Sequence, residues 1–168
     1  MKIANKSMEE KERLNLLYFL FRSFAGKSID MSSFNDRLIL QKIVYIMMSA
    51  GIKLNYHFGW HLRGPYSSSL ASDGFALSNQ KESYIDRSFR ISNENQDKID
   101  QIRGTLGSDL FDTDKLELYS SILFISKSYG NLSDEEIITH IKNRKPWLGE
   151  ETIRNALIKL KDSKMFSV

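Results

Sequence analysis

The chain contains no cysteine among its 168 residues. Disulfide bonds, thiolate metal sites and a cysteine nucleophile are therefore excluded. Long apolar runs are missing too, because the most apolar stretch, residues 14–21, is far shorter than the roughly 20 residues that cross a bilayer. The first ten residues are too acidic and polar for a signal peptide. We therefore expect a cytoplasmic protein without a membrane role.

A strong excess of charge of one sign is also missing. The net charge is only +3, whereas nucleic-acid-binding proteins usually carry a concentrated basic face. Local basic patches, and not the overall charge, must therefore decide whether nucleic acid is a partner. With 41% hydrophobic and 27% charged residues, the composition is that of an ordinary globular protein, and the length suits a single domain over residues 1–168.

The sequence motifs of several enzyme classes do not occur. The chain has no Gly-x-Gly-x-x-Gly and no Walker-type Gly-Lys-Ser, so the common nucleotide-binding loops are excluded. The Arg-x4-His signature of HEPN-type RNases is missing as well, since no histidine has an arginine five positions before it. No pattern indicates a reaction, so we expect a protein that is not an enzyme and needs no cofactor.

Apolar periodicity and capping residues predict a mainly α-helical protein. Capping-box patterns occur at Ser7-x-x-Glu10 and Ser133-x-x-Glu136. The further N-cap candidates are Ser33 or Asn35, Ser92, and Asp112 or Thr113. The predicted helices cover about 8–24, 33–50, 67–79, 92–106, 112–129, 133–145 and 149–163. Gly74 is expected to interrupt the third of them. The helix over 33–50 is apolar almost all round, which is typical of a central helix packed on several sides.

One segment predicts a β-strand. Tyr56, Phe58, Trp60 and Leu62 alternate with polar residues, which in an extended chain places the four apolar side chains on one face. His57, His61 and Arg63 are then expected on the opposite face. We predict that residues 83–91 form a second strand, which pairs with the first as a hairpin.

The histidines and serines of this region are the candidates for catalysis or metal binding. In a strand, the Cα atoms of His57 and His61 are about 13 Å apart, too far to share a metal ion. A serine nucleophile among Ser67–Ser69 would need His61 and Asp73 nearby, but no Gly-x-Ser-x-Gly elbow is present. Serines after a Gly-Pro turn are more often N-caps. We therefore predict no catalytic residue and no metal site.

Two basic patches remain as contact candidates. The first consists of His57, His61 and Arg63 on the predicted strand. The second is the run Lys142-Asn143-Arg144-Lys145-Pro146-Trp147, three cations beside an indole. Such residues can contact phosphates and stack on bases. The alternative for the second patch is a helix C-terminus, where cations favour the helix dipole, with Trp147 packed into the core.

With these residues in view, the chain resembles the YwgA-like family of bacterial and archaeal proteins. The resemblance depends on Leu40-Gln41-Lys42-Ile43-Val44-Tyr45, on Phe58-Gly59-Trp60 and on Arg63-Gly64-Pro65-Tyr66-Ser67-Ser68-Ser69-Leu70. The same order of motifs is similar to the Panacea (SocA-like) antitoxin domain, although that domain usually has Val and then Pro after the Gly-Pro pair. The resemblance implies a winged-helix-like core with additional C-terminal helices, no catalytic residues, and a function in binding protein or DNA.

The residues shared with that pattern also have a structural interpretation. Buried polar side chains need hydrogen-bond partners, and an irregular turn offers main-chain groups. We therefore expect Gln41 and Lys42 to contact the turn at Gly64 and Pro65, next to Trp60 and Tyr66, and to set the angle of the hairpin.

Our leading functional expectation is a regulatory protein that binds a partner protein, such as a toxin or a defence protein. The expected surface is the hairpin together with residues 66–73, including Ser68. The alternative is a winged-helix transcriptional regulator that places Arg63, Arg144 and Lys145 on DNA phosphates.

Overall fold

The computed structural model describes residues 2–79 and 85–168 of the chain. Its described part contains seven α-helices and one two-stranded antiparallel hairpin, which confirms the predicted fold class of a mainly α protein with a small β-hairpin. The winged-helix-like core that the resemblance implies stays a prediction. In chain order the elements are α1 (Lys2–Ala25), α2 (Phe34–Ser49), β1 (Gly59–His61), β2 (Gly64–Tyr66), α3 (Ser68–Asn79), α4 (Asn93–Leu106), α5 (Thr113–Tyr129), α6 (Asp134–Arg144) and α7 (Glu150–Asp162).

Most predicted helix boundaries are confirmed. Ser33, Ser92 and Asp112 each accept hydrogen bonds from the first turn of the helix that they precede, and Ser133 forms a complete capping box with Glu136. The first helix differs: α1 begins at Lys2, so residue 7 lies inside the helix and the predicted start near residue 8 is wrong. The Ser7-x-x-Glu10 pattern therefore does not mark the start of α1, which continues further toward the N-terminus.

The helix α2 occupies the centre of the protein, as predicted. Ten consecutive residues, 38–47, are buried, and this helix packs mainly against α5 and also against α3 and β2. Gly74 does not interrupt α3, contrary to the sequence prediction. It is buried, and a Cβ atom there would come within 2.7 Å of Leu40 Cδ2, so the glycine lets α3 approach α2 closely.

The predicted second strand is in the wrong place. Residues 85–91 form no strand, and residues 83 and 84 lie outside the described part of the chain. The partner of β1 is instead β2, the Gly-Pro-Tyr segment that follows it directly, with Trp60 opposite Pro65. Only Leu62 and Arg63 connect the two strands. The chain can reverse within so short a connection because Gly64, directly after it, adopts a φ of +83°.

None of the described helices has the length and hydropathy needed to span a bilayer.

Candidate functional site

The predicted contact between the Gln-Lys pair and the Gly-Pro turn is present. Gln41 donates from Nε2 to the carbonyl oxygen of Ser67 (2.9 Å) and accepts from the Ser67 N–H at Oε1 (2.8 Å). Lys42 donates from Nζ to the carbonyl oxygen of Pro65 (2.6 Å). Both side chains are buried, so the polar groups of α2 satisfy the main chain of β2 and of the residue after it. The central helix thus fixes the position of the hairpin.

Gln41 supplies the first testable consequence. Replacing it with alanine leaves the buried N–H of Ser67 without a partner and removes one of the two donors to the Ser67 carbonyl oxygen, which still accepts from the Ala71 N–H. We therefore expect Gln41→Ala to lower the free energy of unfolding by about 2 kcal/mol. For a chain of this size that corresponds to a fall in the melting temperature of about 4–8 °C. Calorimetry measures the change. The exposed Gln101 of α4 provides the control, since Gln101→Ala is expected to stay within about 0.5 kcal/mol of the parent protein. An unchanged melting temperature in Gln41→Ala would contradict the proposed contact.

A group of charged side chains surrounds the same turn. Glu117 of α5 is buried and forms short ion pairs with Lys145 Nζ through one carboxylate oxygen and with Arg63 Nε through the other. Arg63 also reaches Asp114 (3.5 Å), and its guanidinium lies 5.8 Å from the ring of Phe34. One carboxylate therefore joins the hairpin turn to the segment that follows α6.

Burial and the surrounding charges change the pKa of the Lys42 ammonium group. The pKa of Lys42 is lowered to about 7, chiefly by burial and also by the nearby charges of Lys145 and Arg63, while Glu117 acts in the opposite direction. Lys42 is only 2% exposed, so its charged form is poorly solvated. At neutral pH the neutral amine is therefore substantially populated, and either form can donate to Pro65.

The lowered pKa gives a pH dependence of stability with a defined sign. An unfolded chain keeps the Lys42 proton up to about pH 10.5, whereas the folded protein releases it near pH 7, so the unfolded state binds more protons between these values. The free energy of unfolding should therefore rise with pH in that window, and the contribution is constant below it. Against Lys42→Met, we expect a relative gain of about 1–2 kcal/mol for the parent protein from pH 7 to pH 9. Urea titrations at each pH measure it, and parallel profiles for the two proteins would contradict the assignment.

Several large side chains lie exposed around the hairpin. Leu62 at the turn is 89% exposed and Trp147 after α6 is 69% exposed. Tyr66 of β2 is also exposed, with its ring 4.9 Å from that of His61. We call His61, Leu62, Tyr66, Arg144 and Trp147 the hairpin face.

Contacts around Trp60 connect the two ends of the hairpin face. The guanidinium of Arg144 lies 5.3 Å from the Trp60 ring. The Lys145 ammonium lies 6.0 Å from the same ring and 5.6 Å from the ring of Trp147. Beneath them, Trp60 packs against Phe124 of α5 at 5.7 Å. The exposed side chains of the hairpin face therefore lie over Trp60, which is itself packed against α5.

The structure corrects four expectations about individual residues. Leu62 was expected on the apolar face of the strand, but it lies at the turn and faces solvent. Arg63 turns inward to Glu117 and does not stay on the outer face. Lys145 is buried, and Trp147 is exposed and not packed into the core. Glu117 accounts for the positions of Arg63 and Lys145, because both cations pair with its buried carboxylate. Leu62 is exposed because it lies in the two-residue turn between β1 and β2.

The remaining predicted contact residues have the following positions. His57, His61 and Ser68 are exposed, and Lys142 and Arg144 are partly exposed near the end of α6. Arg144 donates to the hydroxyl of Tyr129 (2.9 Å) and to the carbonyl oxygen of His140 (3.1 Å). These residues keep their place as predicted contact residues, and no ligand tests them.

The candidates for catalysis have structural partners. Asp73 accepts hydrogen bonds from Arg13 Nε (2.7 Å) and Nη2 (3.1 Å) and from the hydroxyl of Tyr56 (2.7 Å). Ser67 Oγ accepts from the N–H of Leu70 (3.3 Å), as a helix cap does. In residues 2–79 and 85–168, no three acidic, histidine or cysteine side chains are grouped closely enough to bind a metal ion.

Sequence reasoning missed Glu117, the residue that organises the turn. Its sequence signal was a carboxylate between Leu116 and Leu118 in a helix with buried residues on nearly every side. A charge at such a position requires an ionic partner. Lys145 and Arg63 were noticed, but as surface cations, because sequence spacing alone could not show that α5 brings a carboxylate between them.

The chain was compared with models of protein families, with curated proteins and with solved structures, and none of the three comparisons found a match.

Proposed function

We propose that this protein is a non-enzymatic regulatory protein that binds a partner protein through the hairpin face, in the manner of an antitoxin or a defence-system accessory. The observation that carries the proposal is the exposure of Leu62 and Trp147 on a support made rigid by Trp60, Glu117 and the contacts of α2. Exposed large apolar groups beside arginine are typical of the centres of protein interfaces. A packed support also reduces the ordering cost of binding.

The charge distribution favours this proposal over the DNA-binding alternative. A regulator of that kind would use Arg63, Arg144 and Lys145 on phosphates, but Arg63 and Lys145 are both paired with Glu117. Of these three cations, only Arg144 has no carboxylate partner among the described residues, and phosphate neutralisation supplies a large share of the affinity for DNA. A toxin-like or defence protein is the partner that the resemblance to antitoxin domains implies.

Capture from cells of the source organism tests the proposal. The full chain serves as bait in three forms: the parent protein, Trp147→Ala with Leu62→Ala, and the control Phe75→Ala, which removes an exposed aromatic ring from α3. We expect a protein that the parent and Phe75→Ala baits retain in equal amount and that the double variant loses by at least about tenfold, the effect of removing about 1.4 kcal/mol of binding free energy. Equal recovery by all three baits would overturn the proposal.

A further inference from the structure

The hairpin has two edges, and the register shows which one is occupied. Trp60 lies opposite Pro65, and proline has no N–H, so this pair cannot exchange ladder hydrogen bonds. The carbonyl of Pro65 therefore points away from β1, where Lys42 donates to it (2.6 Å). With α2 and α5 packed against β2, the outer edge of β2 is closed.

The same register leaves the other edge open. The main-chain N–H and C=O of Trp60 must point away from β2, toward the outer edge of β1. In the described part of the chain no strand pairs with that edge, and no hydrogen bond reaches these two groups. Gly59 beside them has no side chain, and a Cβ atom there would meet only His61 Nε2 at 3.9 Å. A glycine in a strand leaves room for another main chain to approach.

We propose that the free edge of β1 receives an extended acidic segment of the partner protein, which adds a third strand to the hairpin. This inference rests on the proposed function and specifies its partner. Strand addition gives affinity through main-chain hydrogen bonds, here to the N–H and C=O of Trp60, and specificity through alternate side chains.

The acidic character of the segment follows from the charges around the edge. Arg144 of α6 lies beside the Trp60 ring and donates to the hydroxyl of Tyr129 and the carbonyl oxygen of His140, and among the described residues no carboxylate pairs with it. His61, at the end of β1, adds an exposed ring that can donate a hydrogen bond. The carboxylates in contact with this region, Glu117 and Asp114, are already paired with Arg63. An incoming strand therefore meets the guanidinium of Arg144, whose charge no carboxylate among the described residues neutralises, and opposite charges at an interface increase association and select partners.

Side-chain alternation defines the preferred sequence further. Residues of the added strand that point inward meet Trp60, Arg144 and the exposed ring of Trp147, and those that point outward meet His61. A carboxylate that points inward can pair with Arg144, and one that points outward can accept a hydrogen bond from His61. β-branched residues between them favour the extended conformation.

Selection from a random linear peptide library displayed on phage, with the full chain as bait, tests the inference. We expect the enriched peptides to be rich in Glu, Asp and β-branched residues and to lack net positive charge. Synthetic versions of the best peptide are then compared with versions that carry one N-methyl amide at each position in turn. Methylation at alternate positions should weaken binding about fivefold to tenfold, and methylation at the positions between them should have little effect.

A main-chain substitution in the protein tests whether the peptide binds at the free edge of β1. An ester in place of the main-chain amide of residue 60 removes the Trp60 N–H and keeps the indole, and it should weaken the same peptide by a similar factor. A matched ester at residue 75 in α3 should not. The inference would be overturned if no peptide is enriched, if the enriched peptides are basic, or if they bind as helices. It would also be overturned if N-methylation shows no alternation along the peptide, or if the ester at residue 60 leaves the peptide affinity unchanged. The proposed function would still stand if capture from cells depends on Trp147 and Leu62.

Discussion

Glu117→Ala is expected to lower the free energy of unfolding by about 3–5 kcal/mol, because removal of one partner from a buried ion pair leaves an uncompensated buried charge. Lys145 is 2% exposed, and Glu117 is its ion-pair partner. Arg63 loses its contact with α5 in the same variant, and Lys42 loses the nearby negative charge. The hairpin turn and the segment after α6 would then lose the ionic connection that α5 provides.

Urea unfolding measures this effect, and Asp114→Ala is the matched control. Asp114 also pairs with Arg63, but its side chain is 89% exposed, so its loss should cost less than about 1 kcal/mol. A second variant tests the mechanism: Glu117→Leu combined with Lys145→Met removes both charges and should recover most of the lost stability. If Glu117→Ala and Asp114→Ala cost the same, the carboxylate of Glu117 does not have the organising role described above.

Gly64→Ala is expected to cost about 3 kcal/mol, as the sum of two separate effects. The φ of +83° at this position is unfavourable for any residue with a Cβ atom. The added Cβ would also lie 2.7 Å from Ser121 Oγ, which is closer than van der Waals contact allows, and 3.7 Å from Lys42 Nζ. Both neighbours are buried and have little room to move.

The two effects can be separated by a second substitution. Ser121→Ala removes the Oγ atom, which accepts and donates no hydrogen bond within the described residues, so the double variant Gly64→Ala with Ser121→Ala should regain the steric part, about 1–2 kcal/mol. Gly104→Ala is the control, because this position lies inside α4 with nothing within 4 Å of the new Cβ and should gain about 0.5–1 kcal/mol. No loss of stability in Gly64→Ala would show that the turn does not have this conformation.

The helices could be predicted from local signals, whereas the site depended on tertiary contacts. The N-caps Ser33, Ser92, Asp112 and Ser133 bond only to groups within three residues along the chain, so the sequence located each helix start to within two residues. The contact of Gln41 with the turn was also predictable, since a buried amide must have a partner.

The location of the second strand and the orientation of the cations could not be predicted in this way. Residues 64–66 are short, contain proline and resemble a turn, yet packing against α2 and α5 stabilises them as a strand. Of the two alternatives for Trp147, the one that packs it into the core is wrong. Lys145 was assigned to the wrong environment because its partner, Glu117, is 28 residues away in the sequence. Charge pairs over such separations leave no periodic signal.

The central claim is that the hairpin face contacts a protein in the cell, and site-specific photocrosslinking tests it most directly. The full chain carries p-benzoylphenylalanine at position 62 in one protein and, as a control, at the exposed position 158 of α7 in another. We expect irradiation in source cells to give an adduct at position 62 that protease destroys and nuclease leaves intact, and that position 158 does not give. A nuclease-sensitive adduct at position 62, or the same adduct in equal yield at both positions, would contradict the claim.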